Sequence, residues 1–187
     1  MEPIETKVIG KYQIDIFLDD DPEDPRSWDN LGTMVCFHRR YNLGDKHDFD
    51  HPDEAREFLM NKRDRNIVLP LYLYDHGGIT MSTGKFSCPW DSGQVGWIYV
   101  TREKVREEYG CKRVSKKMVE RMKKYLKNEV ETYDQYLMGD IYGFRITDIE
   151  TEEEVDSRWG CFGDDYCMGE AESVVNYLIK NDLVKTV

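Results

Sequence analysis

Apolar residues alternate in short runs near the start of this chain and recur at three- and four-residue spacings further on. Tyr12, Ile14 and Ile16 alternate with polar neighbours, so residues 7 to 18 are predicted to form a strand. Asp19 to Pro25 is acidic and carries two prolines, which predicts a loop. Leu31 to Arg39 reads as a second strand. Pro52 suits the first turn of a short helix over about 52 to 63, with Ala55, Phe58 and Leu59 on one face. Ile67 to Tyr74 is almost continuously apolar, as a buried strand would be. Pro70 within it predicts an edge position or a bulge, because proline has no N–H for the ladder. Gly77-Gly78 turns the chain. Ile79 to Thr83 and Val95 to Val100 are predicted as further strands.

The second half is more helical. Thr101 can cap a helix that ends near Gly110, and Ser115 a longer one running to about Leu137. Met118, Met122, Tyr125, Leu126, Val130, Tyr133 and Leu137 form one apolar stripe on that longer helix. Ile141 to Ile149 and Glu154 to Cys161 read as a hairpin around Glu150-Thr151-Glu152. Gly169 precedes a last helix that buries Ala171, Val174, Val175, Leu178 and Ile179. The strands cluster without regular β-α alternation. The expected fold is therefore α+β, with a mostly antiparallel sheet and three or four helices. One domain covering residues 1–187 is expected at this length.

Charge sharpens this picture more than composition does. The chain is 40% apolar and 34% charged, a normal globular balance. Its formal net charge of −11 is uneven: residues 102 to 127 hold 11 Lys/Arg against 4 Asp/Glu, or +7, which leaves −18 elsewhere. An acidic body discourages nonspecific nucleic-acid binding and favours basic partners. The basic helix 115–127, with Lys116, Lys117, Lys123 and Lys124, is a candidate contact to nucleic acid. The simpler reading is a solvated helix face. No run approaches the roughly 20 apolar residues that span a bilayer. The N-terminal residues lack the basic and apolar regions of a signal peptide. Cys36, Cys88, Cys111, Cys161 and Cys167 are odd in number and form no C-x-x-C pair. Reduced thiols in a cytoplasmic protein are expected.

The densest chemistry lies between Tyr74 and Val100, where Asp75, His76, Cys88, Trp90 and Asp91 crowd among glycines. Asp75, His76, Trp90 and Asp91 are expected to cluster at one end of the sheet, because turn residues flank the strands on both sides. If they meet, His76, Cys88 and Asp91 are the residues of a small hydrolase site, since a thiol nucleophile needs a base beside it. The bland alternative is that Asp75 and Asp91 hold backbone amides in tight turns and Cys88 packs as a small hydrophobe. No G-x-S-x-G elbow, phosphate-binding loop or helical histidine pair occurs, and neither a metal nor a cofactor is expected. Arg39 and Arg40, beside His38 and Tyr41, are candidates for binding an anion or for pairing with acidic loops. The run Asp19, Asp20, Asp21, Glu23, Asp24 lacks calcium-loop spacing. With Glu152, Glu153 and Glu154 it is the candidate partner-binding surface. Asp156 to Tyr166 echoes the middle block in composition and reads as a tight loop at the same end of the sheet.

The strings Asp29-Asn30-Leu31-Gly32-Thr33-Met34-Val35-Cys36-Phe37-His38-Arg39-Arg40-Tyr41, the Tyr74 to Val100 block with its Trp90-Asp91-Ser92-Gly93-Gln94-Val95-Gly96-Trp97-Ile98-Tyr99-Val100 core, and Tyr142-Gly143-Phe144 resemble an uncharacterised group of small phage and mobile-element proteins. The resemblance spans most of the chain and brings no catalytic residue with it. It implies an accessory role in a host cell's cytoplasm. Such small acidic proteins often blunt host defence, some by offering a nuclease a DNA-like negative surface. The expected partner is a host defence nuclease or another nucleic-acid-handling protein, and no membrane.

Overall fold

The alternation at Tyr12, Ile14 and Ile16 does make a strand, but the residues before it make another. Residues 7 to 18 are part of a hairpin, because Gly10 reverses the chain at φ +62°, a conformation glycine adopts without steric cost. A computed structural model describes residues 1–61 and 66–185, with the backbone alone for 182–185. Among them, the elements in chain order are β1 (Glu5–Ile9), β2 (Tyr12–Leu18), β3 (Thr33–Cys36), α1 (Pro52–Leu59), β4 (Ile67–Asp75), β5 (Ile79–Ser82) and β6 (Ser92–Val100). There follow α2 (Arg102–Tyr109), α3 (Lys116–Met138), β7 (Ile141–Asp148), β8 (Glu153–Phe162) and α4 (Asp164–Lys185). The fold is α+β, and every strand pairing is antiparallel.

The strands divide between two four-stranded sheets, a partition that periodicity alone does not assign. One has the order β1-β2-β7-β8 and the other β3-β6-β4-β5. The chain correspondingly forms two compact units, residues 1–23 with 139–187, and residues 24–138, so the second is inserted in sequence between the halves of the first. Among the described residues no helix is long and apolar enough to cross a membrane.

In the unit built from the two chain ends, α4 covers one face of the sheet. Ile14, Ile16, Phe144 and Ile146 meet Ala171 and Val175 there, all at most 1% exposed. The last helix starts at Asp164, five residues earlier than Gly169 predicts, and Gly169 lies inside it. Asp156 to Phe162 is not a loop but most of β8. Glycine and tryptophan mark an irregularity of the ladder here, where the register with β7 shifts between Tyr142 and Phe144. The Trp159 ring fills the space beside Gly143 that a Cβ would occupy, and it stands 6.0 Å from Phe17.

In the inserted unit, α3 lies on the sheet with Met122, Leu126, Val130 and Tyr133 buried, while Tyr125 of the predicted stripe is 42% exposed. Thr101 and Ser115 cap their helices, each accepting a backbone N–H three residues on. Helix α1 ends at Leu59; residues 62 and 63 of the predicted helix lie outside the described residues. Phe58 stays exposed and meets Tyr99 edge-on. Both readings of Pro70 hold. The ladder shifts register just after it, and β5 pairs only with Tyr72 to Asp75, so Pro70 sits where one side of β4 is unpaired. Gly96 lets β3 approach β6, since a Cβ there would lie 1.9 Å from the Val35 carbonyl oxygen.

A buried ion cluster ties this unit together. Arg26 is 5% exposed and makes a two-pronged contact with Asp45, Nε to Oδ1 at 2.8 Å and Nη2 to Oδ2 at 2.7 Å. Its Nη1 donates to Glu129 of α3 at 3.1 Å and its Nη2 to the Gly32 carbonyl at 2.8 Å. The carboxylates are used twice: Glu129 accepts the Leu31 and Gly32 amides, and Asp45 the Met34 amide. Burial opposes the Arg26 charge, and the two carboxylates outweigh it and raise its pKa. Removing one member of such a cluster leaves uncompensated buried charge. Arg26→Met is expected to cost about 3–5 kcal/mol in denaturant unfolding; a loss under about 1 kcal/mol would show that the cluster adds little to the fold.

A second buried carboxylate gives a pH dependence. Asp148 is 6% exposed, lies 2.9 Å from Lys11 Nζ and accepts the Glu150 amide. The Lys11 hydrogen bond holds its pKa below the ordinary 3.8. The unfolded chain therefore binds that proton first. The stabilisation is present above the unfolded pKa and is lost as pH falls through the folded one. The stability gap between wild type and Asp148→Asn is expected to close between about pH 5 and pH 2. A gap that stays constant across that range contradicts the assignment.

Candidate functional site

Antiparallel pairing decides which loops meet in the inserted unit. Strand β3 leaves the sheet at Cys36, opposite Gly96. Strand β4 leaves at Asp75, and β6 enters at Ser92, opposite Tyr74. The loop after β3, the β4–β5 turn and the segment before β6 thus emerge at one end of the sheet. The loop after β3, the end of β4 and the segment from Trp90 to Val95 line an open groove of about 1470 Å³. The middle block and the His38-Arg39-Arg40-Tyr41 string, some 35 residues apart in sequence, share that groove.

Asp75 joins them. Arg40 Nη2 donates to Asp75 Oδ2, and Tyr41 Oη donates to Asp75 Oδ1 at 3.3 Å. The His38 ring stacks on Tyr41 at 5.0 Å and 11° between planes. His38 Nδ1 accepts the Arg40 and Tyr41 amides at 3.3 and 3.2 Å, which places the proton of the neutral ring on Nε2. His47 Nε2 contacts the Cys36 carbonyl at 3.1 Å, and its buried Nδ1 has no partner among the described residues. Arg39 and Lys46 line the groove, are exposed, and form no ion pair among the described residues. Trp90 stands on the groove with 91% of its surface exposed.

The hydrolase candidates also meet, but through Asp91. His76 Nδ1 lies 3.4 Å from Asp91 Oδ2, and Cys88 Sγ donates to the same oxygen at 3.5 Å. The Asp91 carbonyl accepts the Asp75 amide at 2.8 Å, so the backbone holds the two aspartates together. Cys88 thus faces a carboxylate, and no histidine hydrogen-bonds to it among the described residues. The turn itself is closed by the His76 amide on the Gly78 carbonyl, while the two carboxylates take side-chain partners and not the backbone amides that the turn reading assigns them. Among the described residues no three His, Cys, Asp or Glu side chains converge as a metal site requires. Cys36, also in the groove wall, is a poor nucleophile: burial, then the Asp45 charge, pushes its pKa up to about 12.

The charged candidates separate by neighbourhood. Lys116, Lys117 and Lys124 are exposed on α3 without an ion pair among the described residues, whereas Lys123 pairs with Glu120 at 3.0 Å. Of the acidic candidates, Asp19 accepts the Gly160 amide, Asp24 caps the one-turn helix Pro25–Ser27, and Glu154 pairs with Arg145. Asp20, Asp21, Glu23, Glu152 and Glu153 are exposed. The two acidic groups are not one patch. Asp19 follows β2 beside Ile141, and the 149–152 turn lies at the other end of β7 beside Lys11.

Charge divides with the two units. The unit of chain ends holds 19 acidic and 6 basic residues, −13, and the inserted unit 18 acidic and 20 basic, +2, which together restore the −11 of the chain. The basic stretch 102–127 lies wholly within the second. That Lys46, His47 and Gln94 line the groove has no signal in the sequence. Arg26 has none either, since its partner Glu129 is 103 residues away and leaves no local pattern.

All five cysteines are free; Cys36, Cys161 and Cys167 are buried, Cys88 and Cys111 partly exposed. Burial pushes the Cys167 thiol up to about 12 as well. Two thiols are therefore expected to react quickly with an aromatic disulfide reagent in native protein and five in denaturant. Fast labelling of Cys36, identified by peptide mapping, would contradict the burial described.

No protein-family model matches the chain, and no curated protein or solved structure matches it significantly.

Proposed function

We propose that this chain is a binding protein whose acidic unit occupies the basic, phosphate-binding surface of a nucleic-acid-handling enzyme. The observation that carries this is the charge partition, −13 in the unit of chain ends against +2 in the inserted unit. A surface so charged attracts basic clefts over a Debye length and competes there with nucleic acid. Asp20, Asp21, Glu152 and Glu153 are exposed and not committed to the caps and ion pairs that hold Asp19, Asp24 and Glu154. Read with the resemblance to phage and mobile-element proteins, the partner is a host defence nuclease, met in the host cytoplasm. The inserted +2 unit leaves room for a second contact, so the chain is not a uniform DNA mimic.

A small hydrolase is the second reading, favoured by one observation, the meeting of His76 and Cys88 at Asp91. It ranks lower because the thiol lies against a carboxylate and not against a base. Weak nucleic-acid binding through Lys116, Lys117, Lys123 and Lys124 ranks third.

Affinity capture from host lysate tests the first reading. Wild type is expected to retain a basic nucleic-acid enzyme whose association falls steeply with salt. Replacing Asp20, Asp21, Glu152 and Glu153 by their amides should slow association about tenfold or more and change dissociation less. Replacing Lys116, Lys117, Lys123 and Lys124 by Gln should leave that capture intact. Loss of the partner in the lysine variant, with retention in the acidic one, makes the basic helix the interface. If only Cys88→Ala or Asp91→Ala abolishes activity in cells without unfolding the protein, the hydrolase reading replaces it.

A further inference from the structure

We propose that the groove of the inserted unit binds a nucleoside phosphate, free or as part of a single strand. Its two walls differ in chemistry. On one, Arg39 and Lys46 are exposed cations without ion pairs among the described residues. His38 adds a donor to that wall, because both backbone bonds fall on Nδ1 and leave Nε2–H free to donate. Three donors of this kind suit the oxygens of a phosphate.

The other wall is built for the rest of a nucleotide. Trp90 exposes 91% of its surface, more than any other large hydrophobic residue described. An indole held in water at the rim of a polar groove is a stacking surface without a partner, and every base has a flat face to offer it. Gln94 and Asp91 lie on the same wall and supply polar atoms for sugar hydroxyls or base amino groups. Asp91 repels a phosphate from this side, while Asp75 is paired with Arg40, which fixes the ligand's polarity: phosphate toward Arg39 and Lys46, base toward Trp90. Asp45, the third carboxylate in the lining, is turned to Arg26, which it holds with both oxygens. The groove, about 1470 Å³, exceeds the roughly 300–1,000 Å³ of ordinary small-ligand sites and has room for more than one nucleotide.

This site lies in the inserted unit, and the proposal stands whether or not the acidic unit captures an enzyme. Calorimetric titration of the full chain tests it. The probes are the four ribonucleoside monophosphates, a dinucleotide, a ten-residue single-stranded RNA, adenosine and inorganic phosphate. At least one nucleoside phosphate is expected to bind. Saturation by a monophosphate or dinucleotide identifies a free nucleotide as ligand, and binding of the RNA alone identifies a strand. Trp90→Ala should weaken binding about tenfold or more, and Trp90→Tyr, which keeps a stacking ring, should restore most of it. Arg39→Gln with Lys46→Gln should also weaken it about tenfold or more and flatten its salt dependence. These three side chains are exposed, so unchanged melting curves are expected and separate lost binding from lost folding.

Four outcomes overturn the proposal: no binding by any nucleoside phosphate at millimolar concentration, phosphate alone binding as tightly as the best nucleotide, groove variants that bind like wild type, or binding lost in Lys116→Gln with Lys117→Gln instead.

Discussion

The inserted unit depends on a single buried guanidinium. Arg26 enters from a one-turn helix whose cap is Asp24, and it reaches three separate pieces of chain: the Gly32 carbonyl before β3, Asp45 in the following loop, and Glu129 on α3. Each carboxylate then holds backbone amides of the same region. A buried charge is tolerated only when its hydrogen bonds are complete, and here both lone-pair sets and the guanidinium edges are used. Sheet, helix and loop are therefore fixed relative to one another by geometry that a hydrophobic contact, which has no direction, does not supply. Tyr133 extends the tie: its hydroxyl accepts the Gly44 amide beside Asp45, and burial pushes its own pKa up to about 12.

That constraint reaches the groove directly. The loop from Phe37 to His51 forms one groove wall, and it is pinned at Gly44 and Asp45 and again at Asp75 through Arg40 and Tyr41. The pairings consume some of the wall's charges and leave others. Arg40 is spent on Asp75, while Arg39 and Lys46 remain. A loop without secondary structure holds a defined set of side chains because its backbone is tied at intervals to rigid elements.

Local rules carried much of this fold in the sequence and failed where the cause was distant. Caps at Thr101 and Ser115, the hairpin at Glu150 to Glu152 and the anomaly at Pro70 follow from the residues themselves. The hairpin at Gly10 was hidden because Val8 and Ile9 continue the apolar pattern across a two-residue turn. The segment Asp156 to Phe162 looked like a loop because Trp and Gly mark irregular strands as readily as turns. At the site, the meeting of Asp75, His76 and Asp91 was legible, since turn residues flanked the strands that carry them. The approach of Arg40 to Asp75 was not, since it depends on β3 and β4 both flanking β6. Nor was the net negative charge of one unit, which follows from its few basic residues, because that unit is discontinuous in sequence.

The acidic unit must fold against its own charge, and the placement of its carboxylates accounts for how. Asp164 and Asp165 begin α4, where the helix dipole favours anions. Asp148 and Glu154 have cations, Asp15 takes the Thr6 hydroxyl, and Asp19 holds a backbone amide. These groups stabilise the fold while contributing to the field. Asp20 and Asp21 stand at one end of the sheet and Glu152 and Glu153 at the other, separated by the length of the seven-residue β2, about 20 Å for six steps of some 3.3 Å. Carboxylates that neither cap nor pair weaken the unit by repulsion, and at these two separated exposed points that repulsion is offset by the caps, ion pairs and backbone bonds of the others.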